Sequence, residues 1–221
     1  MFTQASTDFL WQIALNNHRE WFEANKALYR QDIQAPLKAL GEEVFATVVA
    51  KFPDKGLKLK VARIHRDARR VKDGQPYKTA MWFSIERPDE ALWSGKPVFW
   101  FEIAREHYAY GLGYYAAKAL TMEKFRKRLD TFPGQFEKLI TCAKNFDISG
   151  EEYKRKKPCA HPVFEPWYNR KSFTLLQTYP NDQRLYSDTL GAAIGEGFLE
   201  LMPMYDYLVT LDKDPHPRGE V

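Results

Sequence analysis

Only two cysteines, Cys142 and Cys159, occur among the 221 residues, too few for a multi-bridge framework. The fold therefore has to be held by an apolar core, and the expected compartment is the reducing cytoplasm. Long hydrophobic runs are also missing. The first apolar stretch, Phe9 to Leu15, is too short for a bilayer and has no basic residue before it, so neither a membrane span nor an export signal is expected. The familiar cofactor patterns are absent: there is no phosphate-binding loop, nucleophile elbow, CxxC pair or calcium loop, and Gly111-Leu112-Gly113 lacks the third glycine of a dinucleotide fingerprint. His18, His65, His107, His161 and His216 lie far apart without zinc spacing, so no metal and no cofactor is expected. One-sided charge is scarce as well, with 33 Lys and Arg against 29 Asp and Glu, a net of +4. That total is too small for broad binding to duplex nucleic acid unless it is concentrated somewhere.

What is present is material for a core. Hydrophobic residues make up 44% and aromatics 15%, enough apolar surface to offset the entropy of ordering the chain. The length fits one domain spanning 1–221. Helical spacing runs through Phe9, Leu10 and Ile13, then through Trp21, Phe22, Leu28 and Tyr29, then through Leu37, Leu40, Val44 and Val48. Asn17 followed by Glu20 reads as a capping box for the second of these helices, and Pro36 as a kink or restart. The period then becomes two at Leu57, Leu59 and Val61, and again at Met81, Phe83 and Ile85. Val98 to Ile103 and His107 to Leu112 form a hairpin pair, and Ser172 to Tyr179 is a later strand. Thr121 reads as the cap of a helix through Leu129, residues 134–144 as another helix, and the last helix starts near Ser187 and ends near Pro203. Helices grouped before and after a run of strands predict an α+β fold, a central, mainly antiparallel sheet with N- and C-terminal helices packed against it.

Charge is concentrated in one segment. Residues 60–78 hold seven Lys and Arg and two Asp, a local excess that exceeds that of the whole chain. The core of the segment, Arg63-Ile64-His65-Arg66-Asp67-Ala68-Arg69, favours Arg, whose planar fork suits carboxylate or phosphate. It leaves a strand and enters a loop, where binding chemistry is often placed. On the binding reading, Arg63, Arg66 and Arg69 converge on an anion, Lys72 and Lys78 stand nearby, Tyr77 supplies a hydroxyl and Asp67 orients an arginine. On the bland reading, the arginines form a structural ion-pair network.

This segment resembles the signature of an uncharacterised, mainly microbial family, domain of unknown function 2461, with the approximate pattern RxxRDxRFxxDKxxY. Arg63, Arg66, Asp67, Arg69, Asp73 and Tyr77 fall on its fixed positions, while Arg70 stands where Phe is usual and Gly74 where Lys is usual. The resemblance continues in Asn16 to Phe22, Asn25-Lys26, Lys154-Arg155, Trp167 and Lys171 to Phe173. It carries no activity with it. A second basic run, Lys154-Arg155-Lys156-Lys157, reads as a solvated loop, or as the far side of one anion site if Lys154 or Arg155 folds back to the first segment. The leading expectation is a site for a small phosphorylated or carboxylated ligand built from Arg63, Arg66, Asp67, Arg69, Lys72, Asp73, Tyr77, Lys78, Lys154 and Arg155. The alternatives are a nucleic-acid accessory module and a purely structural arginine network.

Overall fold

A computed structural model describes residues 1–67, 69, 72–88 and 95–217. The N-terminal periodicities become helices α1 (Gln4–Leu15), α2 (Arg19–Leu28) and α3 (Ala35–Lys51), with a π-helical turn, Tyr29–Gln34, joining α2 to α3. Pro36 explains that turn. A proline has no N–H to donate and its ring crowds the carbonyl four residues back. The helix ahead of it widens accordingly, and the Ala35 N–H donates to the Arg30 carbonyl five residues back. The Leu37, Leu40, Val44 and Val48 stripe of α3 is buried as its spacing predicts.

The strands are β1 (Lys58–Val61), β2 (Met81–Glu86), β3 (Val98–Ile103), β4 (His107–Tyr114), β5 (Asp147–Ser149) and β6 (Phe173–Pro180). They form one antiparallel sheet in the order β1-β2-β3-β4-β6-β5, so the fold is α+β. Helices α4 (Ala119–Thr131), α5 (Pro133–Cys142), α6 (Glu165–Tyr168) and α7 (Leu190–Val209) complete it. Among the described residues no helix is long and apolar enough to cross a membrane.

Three local expectations need correction. His18, not Asn17, caps α2, its ring nitrogen accepting from the Trp21 N–H, because the Asn17 side chain is committed elsewhere. Thr121 sits inside α4, which starts at Ala119, and its buried hydroxyl donates to Asp212. Pro203 does not end α7, which continues to Val209. Strand β5 is three residues long, too short to show an alternation in sequence.

The chain divides into two compact units, residues 1–87, 100–110 and 178–196 in the first, and 88–99, 111–177 and 197–221 in the second. In the first unit, Phe83 stacks on Phe101 at 5.4 Å and Phe101 on Phe2 at 6.1 Å. Gly191 and Gly195 let α7 approach α3 closely: a β-carbon at Gly195 would lie 2.9 Å from Thr47. In the second unit, Phe136 meets Phe125, Phe164 and Trp167 edge-on at 5.2–5.5 Å. The Arg128 guanidinium grips Asp214 with bonds of 2.5 and 2.7 Å there.

Candidate functional site

The basic segment lies in the first unit and is a hairpin rather than an open loop. The Arg66 N–H donates to the Pro76 carbonyl and the Lys78 N–H to the Ile64 carbonyl, both at 2.8 Å, with His65 opposite Tyr77. Gly74, at φ 71°, takes the left-handed conformation that the reversal needs. In this register the N–H and C=O of Tyr77 point away from His65. The Asn17 side-chain amide meets both, accepting from the Tyr77 N–H and donating to its carbonyl at 2.9 Å each. The linker between α1 and α2 thus serves the hairpin as a short surrogate strand.

Packing finishes the clasp. The buried Tyr77 ring stacks on Phe22 of α2 at 4.2 Å and lies 5.2 Å from the His65 ring. Burial pushes the Tyr77 hydroxyl above its ordinary range, with the Glu23 carboxylate adding to the shift. Phe22 also packs on Tyr29, the first residue of the π turn, at 5.6 Å. Lys78 donates to the backbone carbonyls of Arg63 and His65 and stands over the Trp82 ring. Partial burial, with Arg63 and Arg66 nearby, holds its ammonium below the usual lysine value.

Two of the arginines already have anions. Arg66 donates to both Asp73 oxygens at 2.8 and 2.9 Å and to the Gln75 carbonyl at 2.9 Å. Those bonds, with one from the Gln75 N–H, hold the Asp73 carboxyl below its normal range. Asp67 orients Arg69 through a two-bond fork of 3.0 and 2.8 Å and also accepts from its backbone N–H. Lys72 is exposed near the hairpin tip, and Arg70 lies outside the described residues. Lys154 and Arg155 are exposed and belong to the second unit, so Arg63 to Lys78 are the predicted residues that one local structure brings together.

Arg63 behaves differently, and it leads to residues that the sequence reading passed over. It faces a groove of about 560 Å³ lined by α2, the π turn, the start of α3, β1 and the strand running on to His65. That volume suits a small-molecule or short-peptide site. Phe22, Tyr29, Leu59, Val61 and Ile64 give it an apolar wall, and Lys26, Arg30, Lys38 and Arg63 a cationic one facing a single carboxylate, Glu42. Lys26 pairs with Glu23 at 3.0 Å and Lys38 with Glu42 at 3.6 Å. Among the described residues, no ion pair or hydrogen bond engages the guanidinium of Arg30 or Arg63.

The helical contribution has a regular spacing: Lys26, Arg30, Gln34, Lys38 and Glu42 all line the groove, four residues apart. On a uniform α-helix such a series drifts by about 40° per step. The π turn holds more than four residues per turn and reverses part of that drift, which keeps the series on one side of the rod. Turns of this kind recur at functional sites for such reasons.

Fold and groove together define a class: an α+β protein in which an arginine-rich hairpin walls one side of a cationic cleft. The chain belongs to the family described as conserved hypothetical protein (DUF2461), whose model matches residues 5–207. No curated protein matches it.

Proposed function

We propose that this protein binds a phosphate- or carboxylate-bearing ligand in the groove, with Arg30 and Arg63 as its principal anion contacts and Lys26 and Lys38 as secondary ones. The supporting observation is that two guanidinium groups line one cleft while neither has a described anionic partner. Arg66, Asp67, Arg69, Asp73, Tyr77 and Lys78 act as the frame that presents Arg63, since their polar groups are largely spent on one another. The same internal neutralisation weakens the nucleic-acid alternative, which needs an exposed cationic stripe.

The test is a thermal-shift panel of inorganic phosphate, nucleoside monophosphates, sugar phosphates and dicarboxylates. A ligand held at a hundred times its Kd stabilises by about 2.7 kcal/mol, roughly 5–10 °C in Tm for a chain of this size. The expected result is that Arg63→Ala and Arg30→Ala each remove that shift with little change in the free protein's Tm. An undiminished shift in both variants would place the anion elsewhere.

A further inference from the structure

The groove has one wall that no side chain supplies. Strand β1 is an edge of the described sheet. Its register with β2 pairs Lys60 with Ser84 and Val61 with Phe83, and the Ala62 N–H donates to the Trp82 carbonyl. In an antiparallel ladder, bonded and non-bonded pairs alternate. Residues 58, 60 and 62 therefore spend their backbone groups on β2, while Leu59 and Val61 direct theirs outward. Both residues line the groove, and no described hydrogen bond reaches those outward groups. Further along, the Arg63 and His65 carbonyls are already taken by the Lys78 ammonium. The unmet stretch is thus confined to the part of the edge that borders the cleft.

We infer that β1 receives an extended acidic peptide segment, which adds to the sheet as a strand along Leu59 and Val61 and places its carboxylates against Arg30, Lys38 and Arg63. This rests on the anion site proposed above and names the carrier of the anion. The choice of occupant follows from charge on both faces. Leu59 and Val61 point toward α3, where the Leu59 side chain lies near Gly41, and on that side an added strand meets the cations of the groove. The opposite face carries Lys58 and Lys60, with Lys60 bonded to the buried carboxylate of Glu86. A second copy of this chain would set lysine against lysine and is repelled, a common way of protecting an edge. An acidic strand meets a cation on either face, and main-chain bonds give such additions their affinity.

The experiment uses the whole chain and a capped Glu-Val-Glu-Val-Glu peptide, with the same peptide N-methylated at its central glutamate, whose N–H faces β1 when its carboxylate faces the groove in an antiparallel pairing, and with inorganic phosphate as the charge-only probe. Amide hydrogen exchange at Leu59 and Val61 is expected to slow by roughly tenfold or more with saturating peptide, as those amides gain partners. N-methylation and Val61→Pro, which removes one outward N–H, are each expected to weaken binding by about tenfold, the equivalent of one lost hydrogen bond. Should Val61→Pro fail to fold, the N-methylated peptide on the unmodified protein decides. Equal binding of the methylated peptide, or protection absent from Leu59 and Val61, overturns strand addition. A phosphate-induced shift that needs Arg63, with no peptide binding, also overturns it while the anion site stands; silence of both probes removes both proposals.

Discussion

Each unit of the molecule ties a basic segment down with an asparagine side chain, and the two ties sit at different depths. In the first, Asn17 exchanges two hydrogen bonds with the Tyr77 backbone, both 2.9 Å, from a half-buried position. In the second, Asn169 does the same to Lys157, with bonds of 2.9 and 3.0 Å, and is 3% exposed. The surroundings diverge too. Around the second tie part of the charge is matched locally: Lys156 pairs with Glu152, Lys171 with Glu151, and Arg170 donates to the Pro166 and Gly150 carbonyls, while Lys154, Arg155 and Lys157 stay exposed. Around the first, Arg30 and Arg63 remain without a described anionic partner. One device thus serves two ends. Deep, it secures a loop whose remaining cations project outward, whereas shallow it holds a hairpin whose Arg63 lines a groove.

Substitution separates the two most sharply at the deeper tie. Asn169→Ala removes two bonds from a buried amide and is expected to cost about 2 kcal/mol, roughly 4–8 °C in Tm by calorimetry. Asn17→Ala should cost about 1 kcal/mol, roughly 2–4 °C, because water can replace part of its bonding. Its amide exchange should also quicken at Tyr77 while Lys157 is untouched, and the ligand-induced shift should shrink. An Asn17→Ala loss as large as that of Asn169→Ala would abolish the distinction between them. The smallest effect concerns acid. Arg66 depresses the folded pKa of Asp73, so the pair's contribution is present above the unfolded carboxyl value of about 3.9 and is lost as the pH falls through the lower folded value. Asp73→Asn should lower the neutral-pH Tm slightly, by the small contribution of this exposed pair, and flatten the acid limb of the Tm-against-pH curve by the same amount. An acid limb as steep as that of the unmodified protein would point to other carboxylates.

The elements that were legible in sequence are those whose burial follows a local period. The α3 stripe and the alternation at Met81, Phe83 and Ile85 depend on neighbours within a few residues, and they carry the α+β architecture. The hairpin was harder to read because its completing bonds come from Asn17, sixty positions away, in a stretch whose spacing with Glu20 imitates a cap. Arg30 and Lys38 were invisible for another reason. Their charges are typical of a solvated helix face, and only the widened turn before Pro36 carries them round to Arg63. Composition located the excess charge correctly but did not reveal that Arg66 and Arg69 would consume the two aspartates in it.

The π turn also sets how this region can change over time. From Arg19 to Lys51 the chain is one helical rod whose phase is shared between the buried positions Phe22, Tyr29, Ile33 and Leu37 and the groove series beginning at Lys26. A replaced side chain alters one contact. A residue lost from Tyr29–Gln34 would rotate α2 against α3 by about 100°, uncoupling Phe22 from Tyr77 and Lys26 from Arg63 together. Length in this stretch is accordingly the more sensitive variable, because the loss of one residue displaces the buried series and the groove series at once.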